Sequence, residues 1–85
     1  MSADFPFTFG IEEEFFLVHA RTRGLMARVP KTYLKACRKR LGDVVAPELM
    51  QSQVEIATPI LHDFDEAAAT LDACRAGLAD VAEGM

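Results

Sequence analysis

Tryptophan is absent from these 85 residues, tyrosine occurs once and cysteine twice. The two thiols, Cys37 and Cys74, have no CxxC spacing. Neither a disulfide framework nor a zinc site completed by His19 and His62 is therefore indicated, and both cysteines read as reduced core thiols. No apolar run approaches the roughly 20 residues needed to cross a bilayer, which excludes a membrane span as a partner for the chain. Met1-Ser2-Ala3-Asp4 carries neither a basic n-region nor an apolar h-region, so the expected location is the cytoplasm. The five glycines form no phosphate-loop pattern, and no Ser/His/Asp or Cys/His nucleophile set can be assembled from order and spacing. His19 and His62 read as surface histidines. Repeats, linkers and low-complexity tracts are missing too.

What is present is globular. Apolar residues make up 51% of the chain and six Phe supply bulky core material. A chain this short buries only about two-thirds of the surface its unfolded form exposes, so it is one small domain or a piece of a larger one. The net charge is −4, but its distribution is more informative. Eight of the nine Lys and Arg residues fall between Arg21 and Arg40, where no acid occurs, and the thirteen acids flank that block. The block reads as the solvated face of one helix, with a phosphate-facing surface as the weaker option. A nucleic-acid partner is not expected, because the overall charge is acidic and no aromatic platform is interleaved with the basic residues.

Phe7 to His19 alternates like a strand. One face carries Phe7, Phe9, Ile11, Phe15 and Leu17, with Glu13 the sole intruder. The other carries Thr8, Gly10, Glu12, Glu14, Phe16 and Val18. Arg21-Thr22-Arg23-Gly24 signals a turn, after which Leu25 to Arg28 is expected to return as a short second strand. Pro30 and Gly42 bracket a helix whose apolar positions are Tyr33, Leu34, Cys37 and Leu41. In the segment Glu48 to Thr58, Val54 and Ile56 share one face while Gln51, Gln53 and Glu55 share the other, and Pro59 ends it. Asp63 and Glu66 predict a capping-box-like start to a last helix. Its stripe is Phe64, Ala67, Ala68, Leu71, Cys74, Leu78 and Val81, and Gly84 closes it. The predicted order is β, a second short β, α, β, α.

The chemistry lies in the two acidic strands. Glu12 and Glu14 leave one strand face roughly 7 Å apart at the backbone. Carboxylates held so close repel unless a positive charge lies between them. Magnesium suits such a face, since it takes oxygen ligands and completes its shell with water and substrate phosphates. If the second acidic strand is a sheet neighbour, Glu55 joins them, with Glu48 near its start as a fourth. A solvated outer face is the plain alternative. Against it, Glu is a poor strand former that nevertheless recurs inside a Phe-rich strand, and such conflicts tend to mark function. Glu13 points with the apolar side and reads as an ion-pair partner or a sheet-rim residue, not a ligand.

Phe9-Gly10-Ile11-Glu12-Glu13-Glu14-Phe15-Phe16-Leu17-Val18, followed by Gln51-Ser52-Gln53-Val54-Glu55-Ile56-Ala57-Thr58-Pro59, resembles the start of the bacterial glutamate–cysteine ligase type 2 (carboxylate–amine ligase) family. Glu66-Ala67 and Leu71 with Arg75 resemble the helix that follows in that family. The resemblance implies an α+β fold in which residues 1–85 form the N-terminal part of a glutamine-synthetase-like catalytic domain, an antiparallel sheet with helices packed on one face. It implies ATP as substrate, Mg2+ as cofactor, and an amide formed between a glutamate side-chain carboxylate and an amine such as cysteine, an activity of glutathione biosynthesis. It makes Glu12, Glu14 and Glu55 metal ligands, and Glu48 a less secure fourth. Where the family commonly shows an acid and a proline after the first strand, this chain has His19-Ala20-Arg21. Family catalytic domains are also several times longer, so the isolated chain is expected to be inactive, to self-associate or to need a complementing chain. The reading from a different class is a small non-catalytic α+β module that keeps the acidic sheet only for structure or binds divalent metal weakly.

Overall fold

A computed structural model describes residues 7–46 and 52–85. The alternation of the first apolar segment holds from Thr8 to Val18, with Phe9, Ile11, Glu13, Phe15 and Leu17 half-buried and Thr8, Gly10, Glu12, Glu14, Phe16 and Val18 exposed, but Phe7, expected on the apolar face, is 69% exposed. Within it, strand β1 spans Glu12–Phe16. Helix α1 (Lys31–Leu41) follows, then a single 3-10 turn (Gly42–Val44), strand β2 (Val45–Ala46), strand β3 (Gln53–Ala57) and helix α2 (Phe64–Glu83). The three strands form an antiparallel sheet in the order β1-β3-β2.

Both helices cover one face of the sheet. Val54, Ile56 and Val45 from the strands meet Tyr33 and Cys37 of α1 and Cys74 and Leu78 of α2, with Phe15 partly buried against them. The result is an α+β arrangement with an open face. Cys37 and Cys74 are both free and buried, and burial pushes both thiols above their ordinary range. They are packing groups, not nucleophiles. The Tyr33 hydroxyl donates to the Leu78 carbonyl oxygen at 3.0 Å, so the single tyrosine ties the helices together inside the core.

The helix ends follow their local chemistry. The Asp63 side chain accepts from the Glu66 amide at 2.8 Å, while Glu66 reaches back to the His62 amide at 2.7 Å. This is the reciprocal logic of a capping box, set back by one residue. Gly77, inside α2, faces Leu41 so closely that a Cβ there would stand 2.7 Å from a Leu41 methyl. A missing side chain thus sets the approach of the two helices. Arg40 and Asp80 bridge them at 2.8 Å, but each is about half exposed, so the pair contributes little stability.

Gly42 ends α1 at φ +77 and ψ −147, and a Cβ there would meet nothing within 4 Å. The requirement for glycine is therefore purely conformational. Gly42→Ala is expected to cost about 1–3 kcal/mol in urea unfolding; no change would show that the turn can relax.

The structure departs from the sequence expectation in three further places. Leu25 makes only a single antiparallel bridge to Val18 in place of a strand over Leu25–Arg28, because Pro30 already caps α1 and leaves little chain for pairing. The third strand is instead Val45–Ala46, anchored by the Arg38 Nε–H donating to the Val45 carbonyl at 3.0 Å. Phe64 and Ala68 lie outside the buried stripe of α2: Phe64 is 79% exposed and its ring centroid stands 6.0 Å from that of Phe9.

Candidate functional site

Register decides where the acids sit. Antiparallel pairing sets Glu12 opposite Ala57, Glu14 opposite Glu55 and Phe16 opposite Gln53, while Ala46 lies opposite Glu55 on the other side. Cross-strand partners share a face, and residues two apart along a strand share it too. Glu12, Glu14 and Glu55 therefore project from one face, the one the helices leave open. Glu12 and Glu14 are exposed, and Glu55, on the central strand, is half-buried.

The backbone bonds sharpen this picture. The Thr58 amide donates to the Ile11 carbonyl at 2.9 Å, which makes Ile11 and Thr58 a hydrogen-bonded pair. By alternation Glu13 and Ile56 are the next, and Glu14 and Glu55 form a non-hydrogen-bonded pair. In such pairs the Cα atoms approach to about 4.5 Å and the side chains lie closest. None of the three strands contains Lys or Arg.

The donor set suits a hard cation. All the candidate ligands are carboxylate oxygens, and the open face leaves room for the waters that Mg2+ retains. As the side chains lie, no three His, Cys, Asp or Glu residues are grouped closely enough to hold a metal ion among the described residues. Glu12 is one strand repeat away from the Glu14–Glu55 pair, and Glu48 and Gln51 lie outside the described residues. A cavity of about 290 Å³ is lined by Leu17, Met26, Pro30 and Tyr33 among others and by none of these acids, so it belongs to a different surface.

Glu13 behaves as its face demands. Its carboxylate takes two hydrogen bonds from Arg75 of α2, at 3.0 Å from Nε and 2.5 Å from Nη2. These bonds and the guanidinium charge hold the Glu13 carboxyl below its ordinary range, against the opposing effect of burial. Of the two roles the sequence leaves open for Glu13, the structure selects the ion pair, with Arg75, which the sequence does not single out as a partner, as the other half. A signal was available: Arg75 is the sole cation outside the basic block, and it falls at helical spacing between Leu71 and Leu78. His19 and His62 are both exposed, and His62 contacts Glu66.

The sequence profile of glutamate-cysteine ligase family 2 matches residues 8–85. The chain belongs to this family. Within the glutamate-cysteine ligase family 2 it is similar to a protein from Pseudomonas paraeruginosa at 42% identity over 83 residues, covering 98% of this chain and 22% of that protein. A protein of Paracoccus denitrificans is 37% identical over 79 residues, covering 93% and 21% respectively. One from a Jannaschia species is 40% identical over 80 residues, covering 94% and 21%. All three carry the provisional name glutamate–cysteine ligase 2. The chain thus spans about a fifth of the length of these relatives. No solved structure matches it at a significant level. No helix among the described residues is long and apolar enough to cross a membrane.

Proposed function

We propose that this chain supplies the acidic metal-binding face of an ATP-dependent carboxylate–amine ligase. The observation that carries the proposal is the Glu14–Glu55 register, with Glu12 on the same open face. Membership in the ligase family supports the reaction proposed here. The γ-phosphoryl group of ATP passes to the side-chain carboxylate of glutamate, leaving ADP and an acyl phosphate. An amine such as that of cysteine then attacks the acyl carbon and displaces phosphate, leaving the amide. Glu12, Glu14 and Glu55 would hold Mg2+, which when bound would neutralise charge on the phosphates. Glu48 is the fourth residue proposed for this role.

The sheet's contribution is placement. Strands fix carboxylates more closely than loops do, and the helices behind hold β3 rigid from the core side. Because the reaction consumes ATP, the reading places the protein in the cytoplasm. Phosphate-binding cations are not part of this face, so turnover is proposed to require the further length that the relatives have; the 85 residues alone are inactive in this reading.

Titration calorimetry with Mg2+ and ATP tests it. The wild-type chain is expected to give metal-dependent heat, and Glu12→Gln to weaken it on the order of tenfold or more. Absence of metal-dependent heat from the wild-type chain would leave the second reading, a small α+β module in which the acids serve only as a solvated face. Among the described residues no three acids are already grouped for ligation, which favours that second reading.

A further inference from the structure

We infer that the fork between Glu13 and Arg75 is a positioning pair, which turns β1 so that Glu12 and Glu14 face the same cation as Glu55. The inference rests on the metal-binding reading above. β1 is an edge strand, and β3 is its single strand neighbour in the described sheet. Among the described residues no strand pairs with its other edge to limit rotation about its own axis. Glu13 lies between the two ligand candidates and points the opposite way, toward the helices. Planar peptides link the three residues, so a turn of Glu13 about the strand axis carries Glu12 and Glu14 with it.

The chemistry of the contact is that of a clamp. Two parallel hydrogen bonds from one guanidinium fix both the distance and the plane of a carboxylate, which a single bond or an ammonium does not. Arg75 is itself held, because its neighbours Cys74 and Leu78 on α2 are buried in the core and the Asp63 cap secures the start of the helix. The fork therefore transmits the position of a 20-residue helix to the acidic strand. Exposed ion pairs do little for stability. Metal ligation tolerates errors of only about 0.5 Å, so a pair that adds little stability can still decide affinity.

The experiment measures Mn2+ binding to the 85-residue chain by electron paramagnetic resonance of the free ion, with Mn2+ as an oxygen-seeking probe. Arg75→Ala is expected to weaken binding on the order of tenfold, as loss of outer-shell partners of metal ligands does. Arg75→Lys keeps the charge and the fold but not the fork, and is expected to weaken binding nearly as much. Arg40→Ala breaks the more exposed pair with Asp80, which does not touch β1, and is expected to bind like the wild type. If Arg75→Lys matches the wild type, the charge alone suffices and the positioning role is overturned. If Arg40→Ala weakens binding equally, the effect is general loosening and the role is again overturned. If the wild type binds no Mn2+, the metal-binding reading falls and the positioning role falls with it; the failure of the fork alone is recognised by a wild type that binds and an Arg75→Ala variant that binds as well.

Discussion

Glu14→Gln is expected to lose divalent-cation affinity by at least an order of magnitude and, in metal-free buffer, to melt slightly higher than the wild type. Both effects come from one geometric fact: Glu14 and Glu55 are direct cross-strand partners of the close, non-hydrogen-bonded kind. Like charges directly opposite in a sheet are unfavourable, by an amount within the roughly 0.2–1 kcal/mol range of cross-strand pairs. Removing one charge relieves that repulsion, which for a domain of this size corresponds to a rise of about 1–8 °C in Tm. The same removal takes away an anionic ligand, so the thermal stabilisation that Mg2+ gives the wild type through mass action should disappear. A paired measurement with and without Mg2+ separates the two effects. A Glu14→Gln variant that melts lower without metal and still responds to it would show that Glu14 makes a stabilising contact and is no ligand.

The largest stability loss is expected at Ile56. Its side chain is 0% exposed on the central strand, between the β1 and β2 pairings and against the core formed with both helices. Truncation of such a side chain to alanine costs about 2–5 kcal/mol, from the lost transfer of methylene groups out of water and from the cavity left behind. Domains of this length have total stabilities of only about 4–13 kcal/mol, so Ile56→Ala should remove a large fraction and lower the urea midpoint accordingly. Ile56→Val deletes one methylene and should cost only about 0.5–1.5 kcal/mol. If both variants cost less than 1 kcal/mol, the core does not close around β3 in solution. Because Ile56 follows Glu55, a loosened Ile56→Ala strand should also bind metal less well.

Helix boundaries were legible because their signals are local. Pro30, Gly42, Asp63 and Gly84 each act through the backbone of a single turn, and each stands where the corresponding helix begins or ends. Strand β2 was not legible: two residues are too few to show a period, and what makes Val45 a strand residue is the pairing with Ile56 and the bond from Arg38. Phe64 was misassigned to the buried stripe for a related reason. Helical spacing says which residues share a face but not how far along the helix the partner surface extends, and here it reaches Ala67 but not Phe64.

The faces of the acidic strand followed from sequence alone, since a period of two assigns Glu12 and Glu14 to one side and Glu13 to the other whatever the strand is next to. Which residues those sides meet was decided by tertiary structure. The register that sets Glu55 against Glu14, and the helix that brings Arg75 to Glu13 from 62 positions away, depend on how sheet and helices bury their shared apolar surface. Hydrophobic burial is non-directional, so a local pattern can say which side of a strand turns inward but cannot say what will be waiting there.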